Sequence, residues 1–242
     1  MRFHRRCKTS TPNDFDEAVH SIDYLSRVTL KNPLEKHKDE IHRVPLQRLD
    51  CSFGIVRVEG EPLPLKKVIS KESQRVDAKI TIIFAIRRPG CGNCREHAQQ
   101  LVELTKKDKR ISLVGVVKEI GIADTELDNF YQNYFRNPVY RDEKWTIYKM
   151  MGNRKLSFFS LIRGHFKNLR RYKQKKIANV PFGGDLYTQG GLLVFDQFGE
   201  LCYAYDEVFG EELDMNSVQA AIEGIWFISI IKIWTDHTMH TE

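Results

Sequence analysis

Cysteine is scarce: five in 242 residues. That number is too small and too odd for a disulfide-stapled secreted scaffold of this length, so a reducing compartment, the cytoplasm, is expected. Glycine (15) and proline (8) are also few, which excludes collagen-like and low-complexity chains. No run reaches the roughly 18 apolar residues of a membrane-spanning helix. The longest candidate, Ile225 to Trp234, is broken by Ser229 and Lys232. The basic start, Met1 to Cys7, has no apolar stretch behind it, so no secretory signal is expected. Its Arg, Ser and Thr without an early acid leave an organelle transit peptide as the alternative to a cytoplasmic location. What remains is 41% hydrophobic and 11% aromatic residues, enough to bury a sizeable core. The excess of 38 Lys+Arg over 32 Asp+Glu, a net charge of +6, bears on acidic partners rather than on fold.

Residues 1–50 are polar, with scattered charges and no sustained period, and read as an extension holding at most one helix. Phe53 to Val58 has the look of a short strand, which Pro62 and Pro64 should interrupt because proline cannot donate to a ladder. The core then begins. Lys79 to Ile86 is a β-branched, nearly continuous apolar run, the pattern of a strand buried on both faces. Gly90 and Gly92 break it. A helix follows from about Asn93, with Ala98, Leu101, Val102 and Thr105 on one side. Ile111 to Val117 repeats the buried strand, and Leu127, Phe130, Tyr131, Tyr134 and Phe135 line the next helix. Val139-Tyr140 reads as a short strand and Glu143 to Met151 as a short helix. Gly191 to Phe195, the turn Asp196 to Gly199, and Leu201 to Tyr205 form a hairpin, after which Asn216 is expected to cap a last helix. The order β-α-β-α, insertion, β-β-α is of thioredoxin type: an α/β fold with a central mixed sheet and helices on both faces. The corresponding division is an extension (1–50), a core domain (51–224) with a basic insertion (154–176), and a tail (225–242).

Arg87-Arg-Pro-Gly-Cys91-Gly-Asn-Cys94-Arg-Glu-His97 lies where the first core strand gives way to its helix. Two cysteines three apart at a helix start can close a small disulfide ring. Unpaired N–H groups and the positive helix end favour a thiolate on Cys91, expected to be exposed at the cap, and Arg87, Arg88 and Arg95 supply further cationic charge. The expected chemistry is attack by the Cys91 thiolate on a disulfide or peroxide, then resolution by Cys94. Half of a zinc site is the rival reading of C-x-x-C. Zinc requires four ligands, and Cys7, Cys51, Cys202 and the histidines lack tight spacing around the pair. Inert thiols are the remaining alternative. The C-x-x-C-H haem pattern fails at Arg95. His97 reads as an exposed helix residue, Cys202 as a small buried hydrophobe, and Cys51 as a distal thiol of undecided role.

The motif Arg87-Arg-Pro-Gly-Cys-x-x-Cys-Arg95 after an apolar strand resembles the peroxiredoxin-like 2 family, thioredoxin-fold proteins with an AhpC/TSA antioxidant enzyme domain that include selenoprotein U. Val139 to Tyr148, Gly190 to Phe195 and Phe209-Gly210 continue the likeness, which spans about residues 53–224. It implies a redox-active pair at Cys91 and Cys94, antioxidant or thiol-dependent reductase activity, no bound cofactor or metal, and an external reductant of the thioredoxin or glutathione type, linked to NADPH. The substrate class is a small hydroperoxide or disulfide. One branch of the family is named prostamide or prostaglandin F synthase. True peroxiredoxins differ: they place Thr three residues before the peroxidatic cysteine, where Arg88 stands here, and bring an Arg from a later strand, where Gly190-Gly191 stands.

The segment from Arg154 to Lys176 holds nine Lys/Arg and no acid, with aromatics interleaved. It could engage an acidic protein or an anionic membrane, with nucleic acid the less expected partner. A non-catalytic protein binding through this segment is the alternative to an enzyme. The plainer reading is an inserted helix whose apolar side covers a sheet edge and whose charges are solvated.

Overall fold

The computed structural model describes residues 33–51, 55–122, 124–180 and 183–239. The transit-peptide reading and Cys7 lie outside them. Seven strands form one open mixed sheet: β1 (Pro45–Asp50), β2 (Arg57–Pro64), β3 (Ile80–Ala85), β4 (Ile111–Val117), β5 (Val139–Arg141), β6 (Gly191–Phe195) and β7 (Leu201–Asp206). Their order is β2-β1-β5-β4-β3-β6-β7. β4 runs parallel to β3 and β5, and the other pairings are antiparallel. The helices are α1 (Lys38–Ile41), α2 (Leu65–Val76), α3 (Gly92–Lys107), α4 (Asp124–Phe130, continued by a π turn over Tyr131–Phe135), α5 (Thr146–Met150), α6 (Phe158–Gln174) and α7 (Met215–Met239). With β4, β3, β6 and β7 adjacent and helices on both faces, the fold is thioredoxin-like.

Every residue of β3 and β4 is buried, and the strand period of two deals their side chains to opposite layers. Ile80, Ile82 and Phe84 pack with Ala98 and Leu101 of α3, Leu127 and Phe130 of α4, and Val218 and Ile222 of α7. Ile83 and Ala85 face the other way, onto Leu65, Val68 and Ile69 of α2 and Ile147 of α5. Each buried aliphatic side chain contributes about 1.5–3 kcal/mol. This two-sided clamp fixes the end of β3, and the cysteine motif departs from there.

Three expectations are corrected. Pro45–Asp50, assigned to the polar extension, is an inner strand of the sheet; with Leu46 and Leu49 its main apolar residues, its period was too short to stand out. The second strand runs through Pro62 and Pro64 instead of stopping before them. It lies at the sheet edge, where a missing N–H costs no ladder bond. The last helix is capped by Asp214 rather than Asn216: Asp214 Oδ1 accepts the Ser217 N–H at 3.1 Å and Oδ2 the Ser217 hydroxyl at 2.6 Å. That helix takes in most of the 225–242 tail. Among the described residues no helix is long and apolar enough to cross a membrane.

Candidate active site

Cys91 is the N-cap residue of α3, in extended conformation with φ −74° and ψ 125°. Its neighbours explain the sequence around it. A side chain at Gly92 would press within 2.8 Å of the Tyr172 ring, so only glycine lets α6 close over the first turn. The Gly92 N–H donates to Asn179 Oδ1 at 2.8 Å, and the Val180 N–H donates to the Gly90 carbonyl at 2.8 Å. Across the site, a Cβ at Gly190 would overlap the Ala85 carbonyl oxygen. Gly190 is therefore where the chain entering β6 approaches the end of β3 too closely for any side chain, and a Cβ at Gly191 would overlap the Tyr205 carbonyl oxygen of β7.

Both cysteines are buried and unbridged. Cys91 is only 2% exposed, which corrects the expectation of an exposed cap: α6 and the loop after it cover the helix end. The Arg87 guanidinium donates through Nη2 to Cys91 Sγ at 2.6 Å and through Nη1 to the Leu186 carbonyl at 2.7 Å. Its plane lies over the Phe209 ring, 4.5 Å from the centroid. Burial alone would raise the Cys91 pKa; the Cys94 thiol hydrogen bond, the Arg87 charge and the Cys94 backbone N–H outweigh burial and the repulsion of Glu207, and hold it well below the ordinary thiol range. Cys94 moves the opposite way, raised by burial and then by its bond and charge repulsion with Cys91. The two sulfurs are thus pushed in opposite directions, Cys91 toward the thiolate and Cys94 toward the thiol.

Glu207, two per cent exposed just after β7, completes the site. Its carboxylate lies 3.9 Å from Arg87 Nε and accepts from Asn93 Nδ2 at 3.0 Å and the Gly190 N–H at 3.1 Å. Burial pushes this carboxyl up, but the charges of Arg87 and His97 with the Asn93 and Gly190 donors hold it below the usual range. Glu207 was missed in the sequence, where it is one acid among 32. The register that lays Gly190 beside its carboxylate brings it to the cysteines.

The three arginines of the motif part company. Arg87 donates to the sulfur. Arg88 lines the same cavity as Cys91 and adds positive charge beside it. Arg95, counted among the thiolate-stabilising residues, instead faces away. It donates to the Pro89 and Ala178 carbonyls at 2.9 Å each, pairs with Glu126 at 2.6 Å and covers the Tyr134 ring. It clamps the motif loop between α4 and the segment after α6. His97 is buried rather than exposed, within 3.0 Å of the Glu211 carbonyl and 3.3 Å of Asn93 Nδ2. Cys202 is half-buried rather than buried. Burial, first, pushes the Cys51 thiol up to about 12.

The basic segment meets both an edge strand and α3: Arg154 pairs with Asp206 of β7 at 3.1 Å. Within it, α6 packs across the start of α3, and its acidic partners are partly in the same chain. Arg171 and Lys175 pair with buried Glu96 at 2.8 and 2.7 Å, and Lys175 also reaches Glu212 at 3.1 Å. Glu96 on α3 thereby holds the insertion over the cysteines. Between them lies a cavity of about 260 Å³. Its floor is Cys91 with Arg87 and Arg88, and its walls include Leu161, Ile162, Phe166, Leu186 and Phe209. Among the described residues no group of three His, Cys, Asp or Glu is placed to hold a metal ion.

A thioredoxin-like sheet with a buried, unbridged cysteine pair at a helix start defines a protein of the thioredoxin-like fold class. Residues 97–208, beginning just after the cysteine pair, match the family model for the AhpC/TSA antioxidant enzymes. The human protein named Peroxiredoxin-like 2A is 33% identical over 174 residues, covering 66% of this chain and 72% of that one. Its chicken counterpart is 36% identical over 155 residues, 60% of this chain and 64% of that protein. A salmon protein named Prostamide/prostaglandin F synthase is 28% identical over 184 residues, 70% of this chain and 90% of that one. The chain belongs to the peroxiredoxin-like 2 family. Among solved structures, peroxiredoxin Q of Xanthomonas campestris aligns at 14% identity over 76% of this chain and 91% of that one, with a TM-score of 0.42.

Proposed function

We propose that this chain is a thiol-dependent oxidoreductase in which Cys91 reduces organic hydroperoxides or disulfides and Cys94 resolves the product. The observation that carries the reading is the 2.6 Å bond from Arg87 to Cys91 Sγ at the floor of an apolar cavity. The guanidinium stabilises the thiolate and, beside it, can polarise the O–O bond that breaks. Peroxiredoxins bring that cation from a later strand; here the end of β3 supplies it.

The Cys91 thiolate attacks the terminal peroxide oxygen, forming Cys91–SOH and releasing an alkoxide that takes a proton from solvent to leave as an alcohol. The Cys94 thiol then attacks the sulfenic sulfur, forming the Cys91–Cys94 disulfide and releasing water. With a disulfide substrate, Cys91 forms a mixed disulfide and expels one thiolate, and Cys94 displaces the second. An external dithiol of the thioredoxin or glutathione system, supplied with electrons by NADPH, restores both thiols and is itself oxidised. Apolar walls give no binding energy to hydrogen peroxide, whereas they desolvate a hydrocarbon tail, which favours an organic peroxide as substrate. The name of the salmon relative makes a prostaglandin endoperoxide one candidate to assay.

Cys94→Ser tests the reading. Offered cumene hydroperoxide or an oxidised disulfide, the variant should hold Cys91 as a sulfenic acid or a mixed disulfide visible by mass spectrometry, while Cys91→Ser consumes no acceptor. If Cys91→Ser turns over as the wild type does, the assignment is wrong.

A further inference from the structure

We propose that the outer face of α6 docks on an anionic lipid bilayer, with the Cys91 cavity opening beside the contact. At about 100° per residue, Phe158, Phe159, Ile162, Phe166 and Leu169 fall within an arc of about 100° on this helix. All five are exposed, Phe159 by 81% and Phe166 by 68%. A soluble helix normally buries such a stripe. Here the opposite side, with Asn168 and Tyr172, is the one packed on the protein. Arg163, Lys167 and Arg170 border the stripe along one side and Lys173 falls within its arc; all four are exposed and form no ion pair with any described residue, whereas Arg171 and Lys175 are paired to Glu96. The helix carries no acid. Unpaired cations bordering exposed phenylalanines match an interface where apolar side chains enter the acyl boundary and cations meet anionic headgroups.

The charge selects a negative surface, and the aliphatic Ile162 and Leu169, which cannot stack on bases, select lipid over RNA. Phe158, Ile162 and Phe166 also form a wall of the Cys91 cavity. A docked molecule would therefore present its cavity mouth to peroxidised acyl chains at the interface. Docking itself does not depend on the redox reading.

Co-sedimentation with vesicles of phosphatidylcholine, with and without phosphatidylserine, tests this. The wild type should bind the phosphatidylserine vesicles and weaken as salt rises. Phe159→Ser combined with Leu169→Ser, and separately Arg163→Glu with Lys167→Glu and Arg170→Glu, should each lower binding by about tenfold or more. Cys91 alkylation should stay unchanged in both, since none of these residues lines the cavity. Phe159→Trp, which preserves the apolar face, should gain blue-shifted emission on the same vesicles. Equal retention on neutral and anionic vesicles, or a Phe159/Leu169 variant that binds as the wild type does, would overturn the proposal. Retention of single-stranded RNA that survives the apolar substitutions would assign the face to a polyanion instead.

Discussion

Replacing Arg87 by methionine keeps a long apolar stem and deletes the guanidinium that donates to Cys91 Sγ at 2.6 Å. A buried hydrogen bond to a charged group contributes about 1.5–3 kcal/mol. At about 2 kcal/mol, the thiolate fraction should fall by a factor of about thirty in the pH range where both proteins are mainly thiol. The thiolate that remains is more basic and so a better nucleophile; with a Brønsted coefficient of about 0.45 this returns a factor of about five. The net expectation is an alkylation rate lower by about sixfold, with its pH midpoint displaced upward. Glu207→Gln should act in the opposite sense. It removes a charge that pushes Cys91 up, keeps an amide able to accept from Asn93, and should move the midpoint down. Iodoacetamide labelling against pH, read by mass spectrometry at Cys91, measures both. If the two variants move the midpoint in the same direction, charge is not what tunes this sulfur and the electrostatic account fails.

Alkylation of the native protein near pH 8 should label Cys91 and leave Cys51 untouched, because burial holds the Cys51 thiol at about 12; equal labelling of the two would refute the assignment. Gly190→Ala should lower the urea unfolding free energy by about 3 kcal/mol or more, since its Cβ has no room beside the Ala85 carbonyl and the Arg87 N–H; a variant as stable as the wild type would show that β6 can retreat. Glu207 and Asp185 have carboxyls held below their ordinary range, Asp185 by Lys118, Thr188 and the Tyr187 N–H against its partial burial. A depressed folded pKa stabilises above the unfolded value, so this stability is complete above about pH 4.5 and is lost as the pH falls further. Urea midpoints between neutral pH and about pH 3 should drop, and drop less steeply in Glu207→Gln; an identical acid slope in that variant would count against the assigned pairing.

Long-range register explains most of what the chain alone concealed. The buried runs at 79–86 and 111–117, the helix after the cysteines and the closing hairpin were legible because each carries an unbroken period of its own. β1 and α2 were not. Pro45–Asp50 becomes a strand because β5 and β2 flank it, and the two prolines of β2 are tolerated only because the strand lies at an edge, a fact of topology rather than of local propensity. The site divides in the same way. Cys91 and Cys94 were readable from spacing, yet the arginines around them were interchangeable until the backbone gave each a direction: Arg87 toward the sulfur, Arg95 toward Glu126.

By itself, then, the sequence determined the sulfur pair, its place at the junction of a buried strand and a helix, and the thioredoxin-like order of elements, because these depend on residues close together in the chain. Only the tertiary structure decided which of the neighbouring arginines reaches the Cys91 sulfur. It also brought Glu207 and Glu96 into the site and turned the basic insertion into the roof of an apolar cavity. Charges separated by a hundred residues interact through space at a few ångströms, and no local pattern encodes which of them meet.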